Sequence, residues 1–253
     1  MTFCPAPVGS GITFQRIDLP GSPIIPATIE YVLDTSRSTT IGIGNCIVHT
    51  VEHVLAALAA NGVDNLSIQV DAKEPPIGDG SSAPFVHLIE EAGIEEQGLN
   101  RNIVKIKKPV YYSKGDVHLV ALPSEEYRIS YTLNYPNTPV IRSQYFSLPV
   151  NGQDFKQEVS RCRTFALYEE ISHLMDKGLI RGGSLDNAVV IKDDAILSKE
   201  GLRFTDEMVR HKILDVIGDL SLVGFPFLAH IIAICSGHET NVAFGKKLLK
   251  EGV

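Results

Sequence analysis

Short apolar runs split by Pro and Gly open the chain: Ile12-Thr-Phe14, Ile24-Ile25 and the stretch 28–33 read as short strands. Residues 50–60 then carry an apolar pattern of helical period, and Asn61-Gly62 ends it. Strict alternation in Leu66-Ser-Ile-Gln-Val70 predicts a half-buried strand. The turn-rich Glu74-Pro-Pro-Ile-Gly-Asp-Gly-Ser-Ser82 leads into a helix over 84–92, with Pro84 in its first turn. Residues 93–102 are polar and read as a linker.

A second set of strands follows at 104–106, 117–121 and 127–133, then a helix near 166–177, a Gly-rich passage at 178–183 and a strand at 188–192. From there the chain repeats its earlier order: a helix over 206–222, a stop at Gly224, a strand over 228–234, a turn at Ser236-Gly237 and a closing helix over 241–250. That echo predicts an α+β fold of two similar halves, divided as 1–98 and 99–253.

With 253 residues and 44% hydrophobic content, the chain is long enough to bury a sizeable core in two modest domains. Its formal charge of -7 argues against duplex nucleic acid or an anionic bilayer as the main partner. Cys4, Cys46, Cys162 and Cys235 are scattered, without a C-x-x-C pair, which suits reduced packing thiols of a cytoplasmic protein. The start has neither the basic nor the apolar region of a signal peptide, and the longest apolar stretch, 225–235, is interrupted by Pro226 and His230, so no transmembrane segment is expected.

His49-Thr-Val-Glu52-His53 matches H-x-x-E-H, the spacing of an inverted zinc-peptidase motif, which on a helix puts both imidazoles one turn apart. The competing reading is capping and packing near a helix start. In Val209-Arg-His211-Lys-Ile-Leu-Asp215-Val-Ile-Gly-Asp219, the polar residues at 211, 215 and 219 line one stripe of a helix whose other positions are largely apolar. A buried imidazole and carboxylate one turn apart are costly unless paired or bound to metal; the alternative is a surface pair on a half-exposed helix. Catalytic zinc takes three protein ligands and an open fourth position, and His53, His211 and Asp215 supply such a set if the halves meet.

His238 is expected just past a strand end, where a loop residue reaches into a site or lies exposed in a turn. His87, His118, His173 and His230 read as structural or surface residues. Gly78-Asp-Gly80-Ser-Ser82 precedes a helix, but Asp79 and Glu74 repel a phosphate, so it reads as a tight turn with a serine cap. No Walker A pattern, complete dinucleotide fingerprint or Gly-x-Ser-x-Gly elbow is present in the sequence.

Taken together, Thr50-Val-Glu-His53, Asp64-Asn65, Glu74-Pro-Pro-Ile-Gly-Asp-Gly-Ser81, Arg163-Thr-Phe165, Gly182-Gly-Ser184, Gly201-Leu-Arg-Phe204, 209–215, Ile217-Gly-Asp219 and Ser236-Gly-His238 resemble the UDP-3-O-acyl-N-acetylglucosamine deacetylases, zinc amidases of lipid A and lipopolysaccharide biosynthesis in Gram-negative bacteria. The resemblance covers nearly the whole chain. It implies two α+β domains, each a small sheet packed with helices, an active site at their interface, and an insert near 179–202 that helps form an acyl passage. It also implies zinc on His53, His211 and Asp215, Glu52 as general base, Thr164 polarising the carbonyl, Phe165 touching substrate, Lys212 meeting the nucleotide phosphates and Asp219 orienting His238. The implied partner is the UDP-linked acylated N-acetylglucosamine.

Two departures from the family's pattern stand out. The family begins with extra strands carrying a Gly-x-x-Leu-His-[Ser/Thr]-Gly motif, which this sequence lacks ahead of Phe3, so a truncated first domain with an open sheet edge is expected. The sequence stops soon after its last predicted helix, which leaves room for a C-terminal fusion to a hydroxyacyl carrier-protein dehydratase in a longer protein. Two other readings compete: a zinc metallopeptidase using both His49 and His53, and a non-catalytic remnant that binds the nucleotide sugar.

Overall fold

In the computed structural model, which describes residues 1–176 and 184–252, the first third builds two small sheets. Strands β1 (Thr2–Pro5), β2 (Ile12–Arg16) and β3 (Ile24–Pro26) come first, then a three-stranded meander of β4 (Val32–Asp34), β5 (Thr40–Ile43) and β6 (Cys46–Val48). Helix α1 (Glu52–Ala60), strand β7 (Leu66–Val70) and helix α2 (Ala83–Ala92) complete it. β7 enters the middle of the main sheet, giving the order β1-β7-β2-β3, antiparallel to β1 and parallel to β2.

The second part repeats this wiring. After β8 (Val104–Lys105) come β9 (Val110–Lys114), β10 (Val117–Leu122), β11 (Arg128–Tyr135) and β12 (Arg142–Pro149). A short helix α3 (Gly152–Asp154) runs into helical turns at Phe155–Val159, followed by β13 (Phe165–Leu167), helix α4 (Tyr168–Asp176), β14 (Val189–Lys192) and β15 (Ala195–Leu197). Helix α5 (Glu207–Ser221), β16 (Phe227–Leu228), β17 (His230–Ile234) and helix α6 (His238–Glu251) close the chain. β17 fills the centre of the order β12-β11-β17-β10-β9, parallel to β11 and antiparallel to β10, the place β7 holds in the first sheet. The second sheet extends one strand further, through β9, on the side where β1 ends the first. The architecture is α+β, as expected, with helices packed on small sheets.

Period-two burial fixes the inner faces: Phe14, Ile68 and Val70 in the first sheet, and Leu119, Ala121, Ile129, Tyr131, Ile231 and Ala233 in the second, are all buried. They join the apolar sides of α1 and α5 in one continuous core. The two helices cross at Gly218, where a Cβ would lie 2.1 Å from the Glu52 carbonyl oxygen, so only glycine permits this approach. None of the described helices is long and apolar enough to cross a membrane.

Several expected boundaries move, each for a local reason. Stretch 28–33 is a tight helical turn, Ile29–Tyr31, followed by β4, not one strand. The helix expected from 50 starts at Glu52, because Thr50 has φ 53°, in the left-handed region. The segment from 166 begins as a strand, β13, before α4. Stretch 228–234 divides into β16 and β17, which pair with different sheets. The closing helix starts at His238, three residues before the expected 241, with the Gly237 N–H capped by the Thr240 hydroxyl at 3.0 Å. The Gly-rich passage 178–183, including Gly182 and Gly183, and the first part of the expected insert lie outside the described residues.

Candidate active site

The crossing of α1 and α5 brings polar side chains from distant parts of the chain into one buried cluster. The first turn of α1 carries Glu52 and His53; successive turns of α5 carry His211, Asp215 and Asp219. All five are buried, His53 the most accessible at 8%. One ligand atom from each of His53, His211 and Asp215 falls within 4.8 Å of the others, a separation one ion can bridge.

The donor chemistry suits a divalent metal. The Nδ1–H of His211 donates to the Cys162 carbonyl at 3.0 Å, which leaves the Nε2 lone pair directed at the cluster, 3.3 Å from Asp215 Oδ1. That Oδ1 is buried and has no hydrogen-bond partner among the described residues, a cost that a bound cation removes. Burial, reinforced by His211, pushes His53 down to about 3, and burial lowers His211 as well, so both imidazoles are neutral and able to ligate. At Asp215 burial opposes ionisation, but Lys212, His211 and His238 outweigh it and hold the carboxyl below its usual range. His49 is not part of the cluster. The turn at Thr50 takes it off the helix, and its Nδ1 sits 2.9 Å from the Thr40 hydroxyl, so the H-x-x-E-H spacing does not become a one-turn pair.

Beside this group runs a second chain of contacts. Glu52 Oε2 accepts the Thr39 backbone N–H at 2.9 Å, and the Thr39 hydroxyl donates to Asp219 Oδ1 at 2.5 Å. Asp219 Oδ2 accepts from His238 Nδ1 and from Asn241 Nδ2, both at 2.9 Å. Burial pushes Glu52 up to about 7, with Asp219 and Asp215 adding to the rise and His238 opposing it. For His238 burial disfavours the cation, yet Asp219, Asp215 and Glu52 raise it to about 10. His238 is therefore the first residue of α6 and an imidazolium at neutral pH, where a loop residue was expected.

Segment 162–165 forms another wall. Arg163 is fully buried and clamps Glu207 at the start of α5, its N–H and Nε each 2.9 Å from Oε1. Thr164 donates its N–H to the Gly80 carbonyl and accepts from the Val189 N–H, both at 2.9 Å, which fixes the half-buried side chain's location. The Phe165 ring stands edge-on to His211, centroids 6.5 Å apart. Lys212 Nζ lies 5.4 Å from the Phe165 centroid and 2.9 Å from Asp215 Oδ2.

Residues 1–250 match the family model described as UDP-3-O-acyl N-acetylglycosamine deacetylase. A UDP-3-O-acyl-N-acetylglucosamine deacetylase of Chlamydia pneumoniae is 55% identical over 247 residues, covering 97% of this chain and 88% of that protein. Enzymes of the same name from Chlamydia felis and Chlamydia trachomatis serovar L2 are 53% and 49% identical over 251 and 250 residues, each covering 99% of this chain and 89% and 87% of theirs. The chain belongs to the UDP-3-O-acyl N-acetylglycosamine deacetylase family. The resemblance read from the sequence motifs is thereby borne out, and with it a deacetylase of lipid A biosynthesis.

The sequence reading of this deacetylase assigned no role to four residues of the site. Thr39 and Asn241 hold Asp219, Glu207 anchors Arg163, and Gly218 sets the helix crossing. Only Gly218 carried a local signal, a glycine inside an otherwise apolar helix. In these contacts the others meet partners 22 or more residues away, which no spacing rule reaches.

Proposed function

We propose that this chain is a zinc-dependent amidohydrolase that removes the N-acetyl group of UDP-3-O-(3-hydroxyacyl)-N-acetylglucosamine and releases acetate, an early committed step of lipid A biosynthesis. The observation that carries it is the buried His53, His211 and Asp215 set with an unmet carboxylate oxygen, beside Glu52, in a member of a deacetylase family. Two neutral imidazoles and one carboxylate suit zinc, which, when bound, supplies an acidified water and a polarised acetyl carbonyl.

Glu52 takes the proton of the attacking water, and burial tunes it for that work near neutrality. The Thr164 hydroxyl donates to the carbonyl oxygen as negative charge builds there. An amine departs readily only when protonated. His238, held by Asp219 and cationic, offsets the developing charge and serves the leaving nitrogen. Phe165 gives the substrate an apolar contact, and Lys212 meets the nucleotide phosphates. We take 1–98 and 99–253 as the two domains, with the site between them. A nucleotide-sugar substrate and four free thiols support a cytoplasmic place of action.

The test is acetate release from the acylated UDP-sugar by the zinc-loaded chain, together with Glu52→Gln. The variant is expected to keep its metal and lose at least about a hundredfold in kcat. No release by the unmodified chain, or full activity in Glu52→Gln, sinks the reading. Metal analysis of His49→Ala and His53→Ala separates it from a peptidase: only the second is expected to lose zinc.

A further inference from the structure

Thr39 lies in the first half of the chain, at the start of β5's approach, and its side chain is fully buried. It touches at once Glu52 and the carboxylate that holds His238. Its N–H binds Glu52 Oε2 at 2.9 Å, and its hydroxyl binds Asp219 Oδ1 at 2.5 Å, 180 residues away in sequence. Its carbonyl accepts the Val51 N–H at 3.2 Å, tying it to the residue ahead of α1. Thus one residue fixes where Glu52 points and which way the Asp219 carboxylate turns.

The orientation matters because Asp219 has two oxygens with different tasks. Oδ2 receives the His238 Nδ1–H and the Asn241 amide; Oδ1 receives only the Thr39 hydroxyl among the hydrogen bonds of the described residues. Without the Thr39 hydroxyl, Oδ1 is a buried charged acceptor with nothing to meet it, and the carboxylate gains freedom to rotate away from His238. Outer-shell donors of this kind orient the groups that touch substrate.

We propose that Thr39 is a positioning residue of the deacetylation: through its hydroxyl it locks the Asp219 carboxylate and hence the His238 ring, in register with the Glu52 carboxylate held by its backbone N–H. The hydroxyl carries this role and the methyl group does not. The inference rests on the deacetylase reading given above.

Thr39→Val removes the hydroxyl, keeps the shape and leaves the N–H on Glu52; Thr39→Ser keeps the hydroxyl. In the zinc-loaded full chain, Thr39→Val is expected to hold its zinc and its KM within about twofold while kcat falls about ten- to a hundredfold. Thr39→Ser is expected to recover kcat to within about threefold of the unmodified chain. A second readout needs no turnover: the His238 Nδ1–H resonance in imidazole NMR spectra is expected to shift in the Val variant and stay in the Ser variant.

The proposal is overturned if Thr39→Val keeps kcat within about twofold, if its zinc or KM is lost in step with kcat, or if Ser is as poor as Val. Should the Val variant misfold, Thr39→Ala is judged by the same criteria. If the unmodified chain releases no acetate, the functional reading fails, and the resonance comparison still decides whether Thr39 holds the Asp219 and His238 pair.

Discussion

Glu52 is buried with a cation, His238, and two carboxylates, Asp219 and Asp215, acting on it. Its pKa is raised from 4.5 to about 7, so between those values the folded chain keeps a proton that the unfolded chain has released. Stability contributed by this group is therefore present below about pH 4.5 and lost as pH rises to about 7; at 1.36 kcal/mol per unit that is about 3 kcal/mol. In the metal-free chain, Glu52→Gln is expected to be the more stable protein at pH 8, by up to about 3 kcal/mol in urea unfolding, with the gap closing towards pH 4.5. An equal or less stable variant at pH 8 contradicts the assigned environment. Glu52 and His238 set a bell-shaped profile of kcat/KM: the rising limb lies at or below pH 7, since a bound divalent metal would favour the Glu52 carboxylate further, and the falling limb lies near pH 10, where His238 loses its proton.

Among the elements, α1 and α5 decide whether the site exists. Their apolar faces were legible: Val54, Leu55 and Leu58 in one, and Ile213, Leu214, Val216, Ile217 and Leu220 in the other, are all buried. How closely they approach was not legible, because it depends on Gly218 meeting the Glu52 carbonyl. Gly218→Ala places a methyl group against backbone that has no rotamer to yield. It is expected to destabilise the chain by about 3 kcal/mol and to cost activity beyond the loss of folded protein, since Glu52 and His53 lie on the displaced turn. Thermal melts with a specific-activity assay on the folded fraction check this; an alanine variant with full activity and an unchanged melt refutes the crossing. The missed strands of the two main sheets, β1, β9 and β12, are all edges. Edge strands bury little, so their apolar pattern is faint and only pairing reveals them.

Across the whole molecule, the proposed ligands come from both halves: His53 from the first, His211 and Asp215 from the second. A metal bound only by the folded arrangement stabilises it by mass action. Chelation is expected to lower Tm by roughly 10 °C where the free metal stood at about a thousand times its Kd, and added zinc to restore it. His53→Ala is expected to show no response to chelator. A chelator-insensitive melt in the unmodified, metal-loaded chain counts against the shared site.

What the sequence by itself determined was the periodic core of each half, the repeated order of helix, strand and helix, and the polar stripe of α5, because these depend on neighbours within a few residues. It also carried enough ordered motifs for the family to be read. The tertiary structure alone decided that His49 leaves the helix at Thr50, that His238 starts α6 instead of lying in a loop past a strand end, and that Thr39 reaches Asp219. Each of those outcomes is set by a backbone turn or by a contact between distant segments. Local spacing carries no information about either until the two halves are packed together.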